Sequence, residues 1–196
     1  MQHKVKLTVI DKKLYPELQK QYCTDSNAGA CPCYNIGDEF IFERYGTADD
    51  FWHMGLNTLK QTFNTVDGVV AGGAAFPHCS EAWDAISRYI YTGLQGGSIM
   101  RGWMSDERVM IACCSDGTRP VIFKIERMDY KAVYIEGIAD IDVQNKVKDT
   151  VMQIEAVTDV VFRDEYAEIY LQDDVADEVL KNTVESCGKY CVIKID

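Results

Sequence analysis

The sequence predicts an α+β protein in two parts, and two observations carry that prediction. Residues 1–130 mix short alternating strand patterns with helical segments, and they end in a hairpin closed by Asp116-Gly117, a strong turn signal. Residues 131–196 follow the order strand, helix, strand, strand, helix, strand. That order is typical of a ferredoxin-like βαββαβ sandwich, in which two helices cover one face of four antiparallel strands. We therefore expect an N-terminal mixed α+β domain over 1–130 and a ferredoxin-like domain over 131–196.

The first half of the N-terminal domain is predicted to hold two strands and a helix. Apolar and polar residues alternate over residues 5–10 and again over 39–43, which indicates two half-buried strands. The polar stretch between them is predicted to be a loop. Apolar residues at roughly helical spacing predict a helix over residues 51–63, followed by a glycine-rich loop.

The second half of this domain is predicted to hold a helix and the closing hairpin. The helix is expected over residues 79–97, with Ser80 capping its free amides and Gly96 ending it. In the C-terminal domain the strands are expected at 132–138, 158–164, 168–174 and 190–196, and the helices at 142–157 and 177–187.

Composition and charge exclude several classes of partner. Apolar residues make up 47% of the 196 residues, but no stretch is long and apolar enough to span a membrane. The net charge of −11 argues against nucleic acid, whose binding depends on clustered Lys and Arg. The first residues follow a strand pattern and not that of a signal peptide, so a cytoplasmic protein is expected.

Eight cysteines are the most informative residues of the chain. In a reducing compartment they are expected to be thiols or thiolates, which can bind soft metals. Cys31 and Cys33 project to the same side if the chain between them is extended. Cys79 lies at the start of a predicted helix, where the helix dipole favours a thiolate. Cys113 and Cys114 are adjacent on a strand and point to opposite faces, so at most one of them joins a site.

The candidate metal ligands are therefore Cys23, Cys31, Cys79 and one of Cys113 or Cys114, with Cys33 and His78 as possible substitutes. Zinc, cuprous copper, iron and an iron–sulfur cluster all accept thiolates, so ligand type does not choose among them. Two other interpretations stay open: a redox or nucleophilic thiol site, and reduced cysteines that only pack.

Arg119 is a candidate cofactor-binding residue. Its guanidinium could grip a carboxylate or phosphate group with two hydrogen bonds. An arginine beside a hairpin turn also pairs commonly with a local acid, and that alternative remains open.

The segments "TDVVFRDEYAEIYL" and "ESCGKYCVIKI" resemble the heavy-metal-associated domains of copper chaperones and metal-transport ATPases. The resemblance implies the ferredoxin-like fold. In that family a Cys-x-x-Cys loop holds the metal, but the corresponding loop here, "GIADIDVQ", contains no cysteine, so the metal site is not carried over. Cys187 and Cys191 flank the turn into the last strand, where they form either a displaced soft-metal site or ordinary packing.

The segments "CPCYNIGDEFIF", "CSEAWDAISRY" and "CCSDGTRPVIFKIER" resemble an uncharacterised family of small proteins from anaerobic bacteria and archaea. This chain departs from that pattern at Cys33 and in a longer segment between Arg44 and Phe76. The association with anaerobes implies an oxygen-sensitive centre.

We therefore expect a protein that binds a metal ion or an iron–sulfur cluster through thiolates, for metal handling or electron transfer. The C-terminal domain is expected to serve in protein contacts, such as dimerisation. The alternatives are a cysteine-dependent redox enzyme acting on a small substrate and a regulatory module that senses a small ligand, so the sequence leaves open whether the protein is an enzyme.

Overall fold

The computed structural model describes residues 1–44, 59–64, 79–138 and 140–196. These residues form eight strands and four helices, which confirms the α+β class. The strands are β1 (Gln2–Lys12), β2 (Glu39–Arg44), β3 (Leu59–Asn64), β4 (Val109–Cys113), β5 (Val121–Glu136), β6 (Val157–Phe162), β7 (Ala167–Leu171) and β8 (Cys191–Ile195). The helices are α1 (Pro16–Tyr22), α2 (Ser80–Leu94), α3 (Ile141–Val151) and α4 (Asp177–Ser186).

The chain divides into two compact units, and the division separates both β1 and β5 into two parts. The N-terminal unit is Lys4–Arg127. The C-terminal unit is Met128–Asp196 together with Met1–His3. The first three residues of the chain therefore belong to the unit that contains its last residues.

In the N-terminal unit, helix α2 packs on a sheet in the strand order β3-β2-β1-β5-β4. The pairs β1–β2, β2–β3 and β4–β5 are antiparallel. Alternate residues of the central strands point into the core, as a half-buried sheet requires. The main core residues are Val5, Leu7, Val9, Phe40, Phe42, Ile86, Ile90, Phe123 and Ile125.

Two predictions for this unit are wrong. Residues 16–22 form helix α1 inside the segment predicted to be a loop; Pro16 stands in its first turn, where a missing amide proton costs nothing. Residues 59–64 form strand β3, although a helix was predicted to run to residue 63. β3 pairs with β2 along its whole length, and such pairing to a distant strand overrides the local apolar spacing. The rest of that predicted helix, residues 51–58, lies outside the described residues.

The predictions for α2 and for the closing hairpin are mostly confirmed. α2 lies within the expected range, and Gly96, just after its end, has a φ of +75°. The helix begins at Ser80, however, so Ser80 is not the cap; Cys79 takes that position and its side chain makes no capping bond. β4 and β5 form the hairpin, with Val109 opposite Glu126 and Cys113 opposite Ile122.

In the C-terminal unit the strands lie in the order β8-β5-β7-β6, and each neighbouring pair is antiparallel. The predicted order of elements is confirmed. Side chains of α3 and α4 form a core with one sheet face, including Val133, Val151, Ile169 and Leu180. α3 ends at Val151, six residues earlier than predicted, because a turn and strand β6 follow. No helix among the described residues is long and apolar enough to cross a membrane.

Candidate thiol site

Four cysteines meet at one place in the N-terminal unit. Cys31 and Cys33 lie in the loop between α1 and β2, Cys79 precedes α2, and Cys114 follows β4. Cys114 is buried in the hydrophobic core of the unit, and the other three are partly buried and pack against that core. We call Cys31, Cys33, Cys79 and Cys114 the thiol cluster.

The loop that carries Cys31 is fixed to helix α1 by one buried glutamine. The Gln19 side chain donates to the Gly29 carbonyl at 2.9 Å and accepts from the Gly29 amide at 3.1 Å. Gly29 has a φ of +73°, a conformation that favours glycine. Gln19 is 2% exposed, so both hydrogen bonds are at least partly buried. The loop is thus anchored two residues before Cys31.

Tyr34 anchors the other end of the two-cysteine segment. Its ring is buried and makes edge-to-face contacts with Phe40 and Phe123, with centroids 6.1 and 5.3 Å apart. The Lys12 ammonium donates to the Tyr34 carbonyl at 2.6 Å. Cys33 is therefore adjacent to a residue that both its ring and its backbone hold in place.

The hairpin turn places Cys114 and gives its sulfur a hydrogen-bonded environment. Asp116 closes the turn by accepting from the Thr118 amide and hydroxyl, both at 2.9 Å. The Cys114 amide donates to the Val121 carbonyl at 3.1 Å, and the Val121 amide donates to Cys114 Sγ at 3.3 Å. The sulfur thus accepts from the backbone, as a thiolate would.

Helix α2, which begins directly after Cys79, is hydrogen-bonded to the same turn. The Ser115 amide donates to the Glu81 carbonyl at 3.1 Å, and the Ser115 hydroxyl hydrogen-bonds the Glu81 carboxylate. Glu81 lies in the first turn of α2, two residues after Cys79. Hydrogen bonds therefore link the first turn of α2 to the hairpin turn.

Electrostatic interactions link the cluster thiols to one another in pairs and to Tyr34. The pKa of the Cys33 thiol is raised from 9.0 to about 11, by burial first, then by negative charge at Cys31 and Cys79 and by a hydrogen bond with Cys31. Burial also raises the pKa of Tyr34, and charge at all four cluster thiols raises it further. Burial raises the pKa of Cys114, with a smaller contribution from Cys31, while backbone hydrogen bonds from Val121 and Asp116 oppose the rise.

Arg119 lies beside the cluster and is engaged by a local acid. Its Nε donates to Asp116 Oδ2 at 3.0 Å. That hydrogen bond raises the pKa of Arg119, and charge at Cys31 and Cys33 contributes as well. In return, Arg119 counteracts part of the rise in the pKa of Cys33. The structure thus places the candidate cofactor-binding arginine in the turn, paired with Asp116 and facing the thiols.

Two of the predicted ligands have other surroundings than the cluster thiols. Cys113 is exposed, because the residue after it on the hairpin takes the buried position. Cys23 caps the end of α1, where its amide donates to the Gln19 carbonyl at 2.9 Å. It is not among the main causes of the raised pKa values of Cys33 and Tyr34. His78 lies outside the described residues.

The two C-terminal cysteines differ in their surroundings. Cys187 is 5% exposed, and its thiol donates to the Thr183 carbonyl at 3.4 Å. Cys191 is exposed on strand β8. Cys187 therefore fills a place in the core of its unit.

Sequence reasoning missed three residues that organise the cluster, namely Gln19, Tyr34 and Glu81, and it used Asp116 only as a turn signal. Asp116 has a sequence signal, since Asp followed by Gly and Thr is typical of a turn in which the carboxylate accepts from the backbone. Gln19 and Glu81 have none, because each acts on a segment that is distant along the chain. Among the described residues, no three His, Cys, Asp or Glu side chains are placed closely enough to hold a metal ion as they stand.

Comparison of the chain with protein-family models, with curated proteins and with solved structures found no match. The resemblances drawn from the sequence motifs therefore stay predictions.

Proposed function

We propose that the thiol cluster binds a soft metal ion or an iron–sulfur centre, and that the protein handles metal or transfers electrons through it. The observation that supports this proposal is the meeting of four free thiols from three separate segments at one place. Thiolates from different loops and element ends are the usual ligands of zinc, cuprous copper and iron–sulfur clusters.

The electrostatics of the cluster favour a cation over a free thiolate. The raised pKa values of Cys33 and Cys114 mean that burial and neighbouring negative charge disfavour ionisation. A metal cation reverses both effects, because it neutralises the repulsion and takes the place of water around the sulfur. Binding must then release the thiol protons, so metal affinity should rise steeply with pH.

The hydrogen bonds to Cys114 support the same assignment. Backbone amides that donate to a ligating sulfur orient it and stabilise its negative charge. Cys114 Sγ accepts from the Val121 amide, and the Asp116 backbone also lowers its pKa. A cysteine that only packs, such as Cys187, instead donates its proton to a carbonyl group.

Metal binding requires the side chains to turn toward a common point. Zinc needs four sulfurs at about 2.3 Å. Cys114 is the most constrained sulfur because the hairpin holds it, whereas Cys31, Cys33 and Cys79 are only partly buried. We therefore expect Cys114 to be the fixed ligand, and the other three thiols to rotate onto the metal.

The proposal is tested by metal analysis of the full chain, purified anaerobically without a chelating column. We then expect a titration with Cd²⁺ to produce thiolate charge-transfer absorption and to release about four protons per bound ion, one for each ligating thiol. Cys33→Ser, Cys79→Ser and Cys114→Ser should each weaken binding, whereas Cys23→Ser and Cys113→Ser are matched controls that should not.

Three outcomes would oppose the proposal. They are the absence of bound metal together with a failure to take up Cd²⁺ or iron and sulfide, a loss of binding in the two control variants, and normal binding in all three cluster variants. A circular dichroism spectrum of each variant distinguishes lost ligation from lost folding.

A thiol redox enzyme acting on a small substrate is the second candidate. The interaction of Cys31 with Cys33 favours it, because two neighbouring thiols can be oxidised to a disulfide. The raised pKa of Cys33 opposes it, since an attacking thiol works best with a pKa near the ambient pH. Alkylation of one cluster cysteine at about pH 6, well below the usual pKa of 8.5, would favour the enzyme.

For the C-terminal unit we propose a ferredoxin-like sandwich that serves in protein contacts. The element order, the antiparallel strand order β8-β5-β7-β6 and the core shared by α3 and α4 support the fold. Among the described strands β8 pairs only with β5, so its other edge is open to a partner strand, and Ile193 on it is 67% exposed. Light scattering of the protein and of an Ile193→Lys variant tests it, because a dimer formed through β8 should dissociate in the variant.

A further inference from the structure

A groove lies on the N-terminal unit between helix α2 and the β4–β5 hairpin. It has a volume of about 410 Å³, within the range of roughly 300–1,000 Å³ that small-molecule sites occupy. Tyr89 and Ala85 line it from the helix, and Met110, Ile111 and Ile122 line it from the strands. Ile111 is 37% exposed, so the apolar floor is open to solvent.

Two polar groups define the chemistry of the groove. Arg88 is exposed and its guanidinium carbon lies 5.3 Å from the centre of the Tyr89 ring. None of the ion pairs found among the described residues involves Arg88. The second group is the exposed thiol of Cys113. The groove therefore combines apolar walls with one cation that no described carboxylate neutralises.

We propose that this groove binds a small amphipathic carboxylate, with its apolar part on Met110, Ile111 and Ile122 and its carboxylate on Arg88. Charge complementarity selects this class of ligand. The chain carries a net charge of −11, so most of its surface repels anions, whereas the groove presents a cation beside apolar surface. A guanidinium stacked on an aromatic ring keeps its N–H edge available for a bidentate carboxylate.

The site is independent of the thiol cluster. Cys113 lines the groove and is exposed, whereas Cys114 does not line the groove and is buried in the core of the unit. A failure of the thiol cluster to bind metal would therefore leave the groove proposal unaffected. A failure of the groove to bind a carboxylate would likewise leave the metal proposal unaffected.

The test is a thiol footprint on the full chain with decanoate as the probe. Cys113 and Cys191 are both exposed thiols, and only Cys113 lines the groove. Their alkylation by N-ethylmaleimide is followed by mass spectrometry. At ten times the dissociation constant, occupancy should slow the alkylation of Cys113 about tenfold. The rate for Cys191, in the other unit, should not change.

The variant Arg88→Met removes the charge and keeps an apolar stem. It should raise the decanoate concentration needed for half-protection by about two- to fivefold, as expected for an exposed charge pair. Decanol, which lacks the charge, should protect the wild-type protein less well than decanoate does. It should protect the variant as well as it protects the wild-type protein. The proposal is overturned if decanoate fails to protect Cys113, if it protects Cys113 and Cys191 equally, or if Arg88→Met changes nothing while circular dichroism shows that it is folded.

Discussion

Replacing Cys31 by serine should make Cys33 ionise at a lower pH. The pKa of Cys33 is raised from 9.0 to about 11 by burial, by charge at Cys31 and Cys79, and by the hydrogen bond with Cys31. Serine keeps the size of the side chain but carries no charge, so the contributions of burial and Cys79 remain. Burial and Cys79 account for part of the rise from 9.0 to about 11, and strongly interacting sites shift each other by at least about one pK unit, so we expect the pKa of Cys33 to fall by about one unit.

The alkylation rate of Cys33 reports this change. At about pH 9, a fall of one unit gives roughly ten times more thiolate. The less basic thiolate is also about threefold less nucleophilic, because the Brønsted coefficient is about 0.4–0.5. The rate of reaction with iodoacetamide, measured by mass spectrometry of the Cys33 peptide, should therefore rise about three- to fourfold.

Cys113→Ser is the matched control, because Cys113 is exposed and has other surroundings than the cluster thiols. It should leave the reactivity of Cys33 unchanged. If Cys31→Ser also leaves the pH profile of Cys33 unchanged, the two sulfurs do not interact, and the argument that the cluster is electrostatically coupled is refuted.

Three further predictions concern stability. Folded Cys33 keeps its proton where the unfolded thiol loses it, so its contribution is fully present below pH 9.0 and is lost as the pH rises toward 11. The free energy of unfolding in urea should therefore fall over that pH interval. The fall should be on the order of 1 kcal/mol, because solvent screening reduces the effect of a partly exposed group. It should be smaller in Cys33→Ser. Gly93→Ala would place a Cβ 2.7 Å from Val5 Cγ2. Gly117 is the contrasting position, because it has open space around it. Overpacking costs about 1–3 kcal/mol, whereas the gain in helix propensity from glycine to alanine is at most about 1 kcal/mol. A lower melting temperature is therefore expected for Gly93→Ala. A higher one would contradict the close packing of Gly93 against Val5. Lys131→Met should destabilise by about 1.5–3 kcal/mol, because charged hydrogen bonds to the Val175 carbonyl and Asp177 are lost. The control Lys194→Met removes an exposed cation and should stay within about 0.5 kcal/mol; equal losses for the two lysines would refute the reasoning.

The closing hairpin shows how far sequence reasoning reaches into the candidate site. Asp116-Gly117 predicts the turn, and alternation predicts that Cys113 and Cys114 point to opposite sides. Which of the two faces inward depends on the register of the hairpin, which pairs Cys113 with Ile122 on the face that carries Lys124 and Glu126. The structure buries Cys114 and exposes Cys113.

Helix α1 and strand β3 show where local reasoning fails. α1 has only seven residues, too few to be stable alone, and the hydrogen bonds of Gln19 to Gly29 hold it in place. β3 depends on its partner β2, which lies outside the window in which apolar periodicity is read.

The sequence by itself determined the α+β class, the order of elements in the C-terminal unit, the hairpin, helix α2 and the abundance of thiols. These features depend on periodicity, turn residues and composition, which are properties of short segments or of the chain as a whole. Only the tertiary structure decided that Cys31, Cys33, Cys79 and Cys114 pack on one core and act together on Tyr34, while Cys113 is exposed. Convergence and burial depend on which distant segments pack together, and the same burial and mutual repulsion raise the pKa of Cys33.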